Sequence, residues 1–319
     1  MTISPSIATA IQDWLSDNGT GSLRDGAAAN SRIYRSGGSS AKADLAAYLV
    51  ARAPATYAAA HKSMAEIAAA MPEFRPQSLL DVGAGAGSSS WAAIDLWPAI
   101  QAVTFLDNNP RFLDMAKAIA AKSGMAAFQD SNAIQGSIGE APLPQSDFVV
   151  ASYMLAELSV TSARQIALRM WAVTNQMLLL VEPGTPAGFE RIAAARSALL
   201  RAGAQIVAPC THANTCPLTE DDWCHFSVRL SRAREHMHAK SAAVPFEDEP
   251  FSYLAVSRQP VAWAVGRIVR PVRISKPGTA FSLCTHMGLQ EVVVPKRDRN
   301  LFGRVRKLGW GDPFTEQKP

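Results

Sequence analysis

No apolar run in this 319-residue sequence approaches the roughly 20 residues that a membrane-spanning helix needs. The longest candidates, such as Met177–Val181, are strand-sized. The start, Met1-Thr-Ile-Ser-Pro5, lacks a basic region followed by an apolar stretch, so no secretory signal is expected and the chain reads as cytoplasmic, with no membrane partner. Cysteine is scarce as well. All four lie beyond residue 209, and in a reducing compartment so few thiols point to metal or redox chemistry rather than to structural disulfides. Internal repeats are missing too, which excludes a solenoid or propeller.

What is present is the composition of an ordinary globular protein, 48% hydrophobic and 18% charged, long enough for one large domain or a core with an elaboration. The net charge of +4 is mild but unevenly spread. Between His225 and Lys307 fifteen Lys and Arg face six Asp and Glu, a local excess of +9 that leaves the remainder at −5. Such asymmetry points to a polyanion partner for the C-terminal third; the bland alternative is a solvated basic face.

Three regions follow from texture. Residues 1–73 are Ala-rich and helical, with Ala41–Arg52 and Thr56–Met71 at helical spacing around Pro54, and they read as a lid or packing layer. Within them Ser36-Gly-Gly-Ser-Ser40 reads as a loop, and Arg32, Arg35 and Arg52 as isolated arginines within reach of RNA but more simply solvated surface. Residues 74–207 alternate strands (78–82, 102–106, 148–152, 177–182) with helices (88–97, 110–122, 162–173), the pattern of an α/β fold whose parallel sheet is covered on both faces. Residues 208–319 open with a Cys-, His- and Pro-rich loop and continue as a small antiparallel β-meander: 269–274, a Lys276-Pro-Gly278 turn, 280–284 and 291–294.

The segment Leu79-Leu-Asp-Val-Gly-Ala-Gly-Ala-Gly-Ser88 runs from strand into helix. Gly83, Gly85 and Gly87 let the backbone turn tightly and come close to a ligand. Ser88 stands where a dinucleotide fingerprint needs its third glycine, and no Gly-Lys-Ser/Thr follows to make a P-loop. The strand ending in Asp81 before Gly-x-Gly-x-Gly resembles the first motif of class I S-adenosylmethionine-dependent methyltransferases, a Rossmann-like fold. Asp107, at the end of the second strand, suits the two hydroxyls of a ribose. Asp130 is read as a loop acid after the third strand, within reach of the adenine.

The cysteines form a C-x5-C-x7-C set, Cys210, Cys216 and Cys224, with Cys284 as a distant fourth. Four thiolates suit an iron–sulfur cluster or tetrahedral zinc. Missing C-x2-C knuckles favour the cluster, while His212 and His225 keep a mixed Cys/His zinc site open, and small buried hydrophobes are the plain alternative.

The stretches Val181-Glu-Pro-Gly-Thr-Pro-Ala-Gly-Phe189, Ala208-Pro-Cys-Thr-His212, Cys216-Pro-Leu218, Asp222-Trp-Cys-His-Phe226 and Pro245-Phe-Glu-Asp-Glu249 resemble the mitochondrial small-ribosomal-subunit methyltransferase-like family and its bacterial relatives. Arg52-Ala-Pro-Ala-Thr-Tyr57 and Trp310-Gly-Asp312 extend the likeness to nearly the whole chain. The resemblance implies a class I methyltransferase fold, a 4Fe–4S cluster on Cys210, Cys216, Cys224 and Cys284, and a role as an assembly or translation factor on the small ribosomal subunit and its RNA. Arg267, Arg270, Arg273, Lys296, Arg297 and Arg304 are then expected on phosphates, and a monomer is expected because the partner is a large ribonucleoprotein.

Catalysis is less legible. Many base-amine methyltransferases carry an Asn/Asp-Pro-Pro-aromatic loop after the fourth strand, where this chain has Ala151-Ser-Tyr-Met-Leu-Ala-Glu157. The Pro209-Cys210 pair is better assigned to metal than to a cytosine nucleophile, and the zinc-deaminase signature is absent. Tyr153, Glu157 and Glu182 are the nearest polar groups, each with an easy structural role. An active rRNA methyltransferase stays open beside the non-catalytic factor.

Overall fold

The structure is a computed structural model that describes residues 3–35, 42–218 and 222–315. The expected Ser36–Ser40 loop lies outside the described residues. Four helices come first: α1 (Pro5–Asn18), α2 (Leu23–Arg35), α3 (Leu45–Ala51) and α4 (Ala53–Ala70). The alternating part follows as β1 (Ser78–Val82), α5 (Ser88–Leu96), β2 (Ala102–Asp107), α6 (Pro110–Lys122), β3 (Asn132–Gln135), β4 (Ser146–Ser152), α7 (Val160–Ala172), β5 (Thr174–Pro183), α8 (Pro186–Arg201) and β6 (Gln205–Ala208). The last part holds β7 (Phe226–Ser231), α9 (Arg234–Ala239), β8 (Phe246–Ser257), β9 (Gly266–Ile268), β10 (Arg273–Ile274), β11 (Gly278–Thr285), β12 (Gly288–Pro295), α10 (Arg299–Val305) and β13 (Pro313–Phe314). No helix among the described residues is long and apolar enough to cross a membrane.

The main sheet runs β3-β2-β1-β4-β5-β8-β6, with β7 paired to the first half of β8. Strands β1 to β5 are parallel, whereas β8 is antiparallel to both β5 and β6. This order, with one reversed strand between the fifth and sixth, is that of the class I methyltransferase sheet. Neighbouring residues feed opposite faces, as the pleat requires. Leu79, Phe148, Val150 and Leu179 pack toward α4 to α6, and Leu80, Val149, Leu178 and Leu180 toward α7 and α8. Burial on both sides is why these strands are apolar throughout.

Two boundaries differ from the sequence reading. The sheet continues past residue 207, because β8 fills its interior and pairs with β5 from Met177 to Pro183. The C-terminal sheet is also more than a meander: β10 and β9 both pair with β11 on one side, β12 pairs on the other, and β13 closes onto β9. Its own core of Phe281, Leu283, Val294, Leu301, Val305 and Phe314 lies between strands and α10.

Candidate functional site

The chain reverses its strand order between β1 and β4, and open α/β sheets place ligands at the carboxyl ends of strands at such a point. The glycine loop leaves β1 there. Gly83, Gly85 and Gly87 have φ of 67°, 53° and 87°, in the left-handed region that glycine tolerates. Gly85 N–H donates to Asp107 Oδ2 and Asn109 N–H to Asp107 Oδ1, each at 2.9 Å, which fixes the carboxylate beside the loop. Burial raises the Asp107 pKa against the pull of those backbone donors. Ser88 Oγ is buried with no hydrogen-bond partner among the described residues.

Two side chains line this cleft that sequence reading had not singled out. A Cβ on Gly85 would stand 2.9 Å from Tyr48 Oη, and one on Gly83 would stand 2.7 Å from Met154 Cγ. Tyr48 from α3 and Met154 from the turn after β4 thus pack directly against the glycine loop. The backbone, Asp107 and the unpartnered Ser88 hydroxyl fit a nucleoside-bearing cofactor such as S-adenosylmethionine, which would add a methyl-sulfonium group to the cleft.

Two expected cofactor contacts fall elsewhere. The Asp81 carboxylate points to α5, where Oδ2 accepts from Ser90 N–H at 3.1 Å and Ser90 Oγ–H at 2.8 Å, and burial lifts its pKa to about 7. Asp130 is corrected outright. It is exposed in a turn before β3, not after it, so it sits at the amino end of a strand whose carboxyl end faces the cleft.

Beyond β4 the polar groups are already engaged. Tyr153, at φ 61°, donates its hydroxyl to Glu249 Oε1 at 2.9 Å. Arg52 lies 5.4 Å above that ring and 3.7 Å from the same carboxylate, so it is no solvated surface arginine. Glu182 is fully buried; Oε1 accepts from Leu155 N–H at 2.8 Å, Oε2 has no partner among the described residues, and burial lifts the pKa to about 8. Glu157 is exposed.

The second site is a cavity of about 30 Å³, against the roughly 10–15 Å³ that a single water fills. Cys210, Cys216, Cys224 and Cys284 all line it, brought together from the loop after β6, the approach to β7, and β11. Thr211 Oγ1–H donates to Cys284 O at 3.2 Å and Asn214 Nδ2–H to His286 O at 3.1 Å, stitching the loop to the C-terminal sheet. Burial raises the Cys224 thiol well above its ordinary pKa, with the other three thiols adding to it. Burial, then Cys210 and Cys216, push Cys284 up to about 12. Both shifts favour the protonated thiol, and a bound cation would draw Cys224 and Cys284 to thiolates.

His212 lines the cavity with Nε2 3.4 Å from Cys284 Sγ. His225 is drawn away, stacked on Trp223 at 5.2 Å and edge-on to Trp310 at 4.9 Å. Among the described residues no three Cys, His, Asp or Glu groups stand close enough to hold a single metal ion. What the cavity does gather is a donor set of four thiols, the chemistry that sulfur-ligated metal groups use.

The expected phosphate contacts divide. Arg267 is only 6% exposed and is corrected: it donates to Glu66 Oε2 at 2.6 Å, Pro209 O at 2.8 Å and Gly311 O at 2.9 Å, which holds it inside the fold rather than on a phosphate-facing surface. Arg270 is tied to Asp222 and Arg273 to Glu291. Lys296, Arg297 and Arg304 are exposed, and Arg299, Arg306 and Lys307 join them on and around α10.

With this geometry in view, comparison with known proteins is direct. A family model described as "Mitochondrial small ribosomal subunit Rsm22" matches residues 42–315. The chain belongs to the Rsm22 family. Curated relatives include the human "Ribosome assembly protein METTL17, mitochondrial", 27% identical over 286 residues that cover 83% of this chain and 61% of that protein. Rsm22-cox11 tandem protein 2 of Schizosaccharomyces pombe is 26% identical over 297 residues, covering 75% of this chain and 38% of its own length. This Rsm22-family chain thus spans about six tenths of the human relative and under four tenths of the yeast one. Among solved structures, magnesium protoporphyrin IX methyltransferase of Synechocystis PCC 6803 with bound SAM aligns at 15% identity and a TM-score of 0.45, covering 81% of this chain and all of that one. Precorrin-6y C5,15-methyltransferase of Geobacter metallireducens aligns at 16% and 0.41, covering 62% and 88%.

Proposed function

We propose that this chain is a cytoplasmic assembly factor that binds small-subunit ribosomal RNA, carries a 4Fe–4S cluster on its four cysteines, and uses the S-adenosylmethionine cleft as part of its architecture. The observation that carries the reading is the cysteine cavity: every cysteine of the chain, from stretches up to 74 positions apart, lines one space. Four thiols lining one cavity are a donor set for a cluster or for zinc, and the lack of C-x2-C knuckles in the sequence favours the cluster. Family membership supports the ribosomal role, and the human relative's name gives assembly as that protein's function.

A scaffold suits the observations better than an active methyltransferase. Behind β4, where an acceptor base would be held, Tyr153 is bound to Glu249 and Glu182 supports the backbone of Leu155. Tyr153 is committed to that pair, and Glu182 is fully buried, out of reach of an exocyclic amine.

The cysteine loop carries the C-terminal sheet, so the RNA surface depends on it without touching the metal. We expect Cys216→Ser to lose iron and to weaken small-subunit RNA binding at every salt concentration while leaving the salt slope unchanged. Replacing Lys296, Arg297 and Arg304 with Gln is expected to lower that slope by roughly two to three units. Filter binding across a salt series reads both. Unchanged affinity in the first variant would remove the link between the cysteine centre and RNA; an unchanged slope in the second would remove the basic surface.

A further inference from the structure

Two guanidiniums stand in the wall of the cysteine cavity, and they are not alike. Arg267 is neutralised by Glu66. Arg196, in the last turns of α8, is 6% exposed, yet no carboxylate lies within ion-pair distance of it among the described residues. One terminal nitrogen donates to the carbonyl oxygens of His212 and Asn214, both at 2.9 Å, and Nε is buried with no partner at all among the described residues. A buried charge facing only neutral dipoles is strongly unfavourable, and such charges are found paired.

The groups that share the cavity with Arg196 are the four thiols, His212, Tyr253, the already paired Arg267 and apolar side chains, none of them a carboxylate. With four protonated thiols, its charge has no counter-charge among the described residues. Four thiolates around a dicationic centre, whether a zinc ion or an oxidised cubane cluster, carry a net double negative charge. We infer that Arg196 is the counter-cation of the cysteine centre, a positioning residue that touches no RNA and stabilises the loaded, anionic state of the site. The inference rests on the proposed reading of the cysteines as a metal centre and assigns to that centre a charge partner.

A cation beside the site favours its more negative, reduced form and holds metal that a neutral side chain would release sooner. The test uses full-length protein isolated without oxygen in four forms: wild type, Arg196→Gln, Arg196→Lys, and Arg201→Gln on the exposed end of the same helix. Iron, sulfide and zinc are measured, then the midpoint potential by optical titration and the rate of metal loss to a chelator. Arg196→Gln keeps an amide to donate to the loop carbonyls but no charge. It is expected to lose metal about tenfold faster than wild type and to shift the potential downward. Arg196→Lys is expected to fall between the two, and Arg201→Gln to match wild type.

Wild-type retention and potential in Arg196→Gln would overturn the inference. So would a folded Arg196→Lys that fails as fully as Gln, since the residue would then serve only to cap the 212–214 carbonyls. Zinc without sulfide in the wild type would overturn the cluster but not the counter-cation, which the chelator series would still decide: equal zinc retention in wild type and Arg196→Gln would end it. A wild type that holds no metal would end both.

Discussion

At the scale of single residues, burial decides what each charged group does. Glu182 and Asp81 both sit in the interior with pKa values lifted by desolvation, to about 8 and about 7. A carboxyl whose folded pKa lies above its unfolded one contributes most stability below the unfolded value and loses it as pH rises through the folded one. The affected window therefore runs from about pH 4 to about pH 8, and each group contributes a slope of at most about 1.4 kcal/mol per pH unit. We expect the melting temperature to fall as pH rises from 5 to 8, and Glu182→Gln to flatten part of that fall. Parallel melting curves of wild type and variant with the same slope would show that Glu182 ionises freely in the fold.

Arg267 makes the complementary point. In the sequence it is one of many arginines in a basic stretch, and nothing local separates it from Arg297. Its burial arises only when β9 pairs with β11 and β13 and brings it against Glu66 on α4. Burial would raise the Glu66 pKa, yet Arg267 and Lys62 hold it below its ordinary value. Arg196 was hidden for a similar reason, sitting within an Ala-rich helix with no motif around it. That Asp107 and the glycines stand side by side could, by contrast, be expected from local features, a strand-end acid and glycine spacing.

At the scale of elements, the parallel strands were legible as short apolar runs, since both of their faces are covered. β3 was not, because Asn132-Ala-Ile-Gln135 is a polar edge strand with little to bury. β8 was missed for its acidic opening, Phe246-Glu-Asp-Glu-Pro250, although its second half is a central strand. Glycines 184 and 188 in the family motif have a packing reason: a Cβ on Gly188 would lie 2.1 Å from Pro183 O, so glycine lets α8 start directly against β5. The Glu66–Arg267 pair joins α4 to β9, and removing one partner of a buried pair typically costs about 3–5 kcal/mol. Glu66→Gln should lower the denaturant midpoint accordingly and expose the C-terminal sheet to proteolysis before the core. A loss below about 1 kcal/mol would mean the two elements hold together by apolar packing alone.

At the scale of the molecule, the three regions read from sequence are one connected body whose joints lie at the functional sites. The N-terminal helices supply Tyr48 to the glycine loop, Arg52 to the Tyr153–Glu249 pair and Glu66 to Arg267 in the wall of the cysteine cavity. The cysteine loop ties the main sheet to the basic C-terminal sheet. On this account the metal centre is the fastener of the RNA surface, and the methyltransferase fold is the frame that carries it. The most direct measurement is the visible absorption spectrum of protein purified without oxygen, with iron, sulfide and zinc determined on the same sample. The account predicts a broad brown absorption with about four iron and four sulfide per chain. A colourless protein with one zinc, or with no metal, would contradict it.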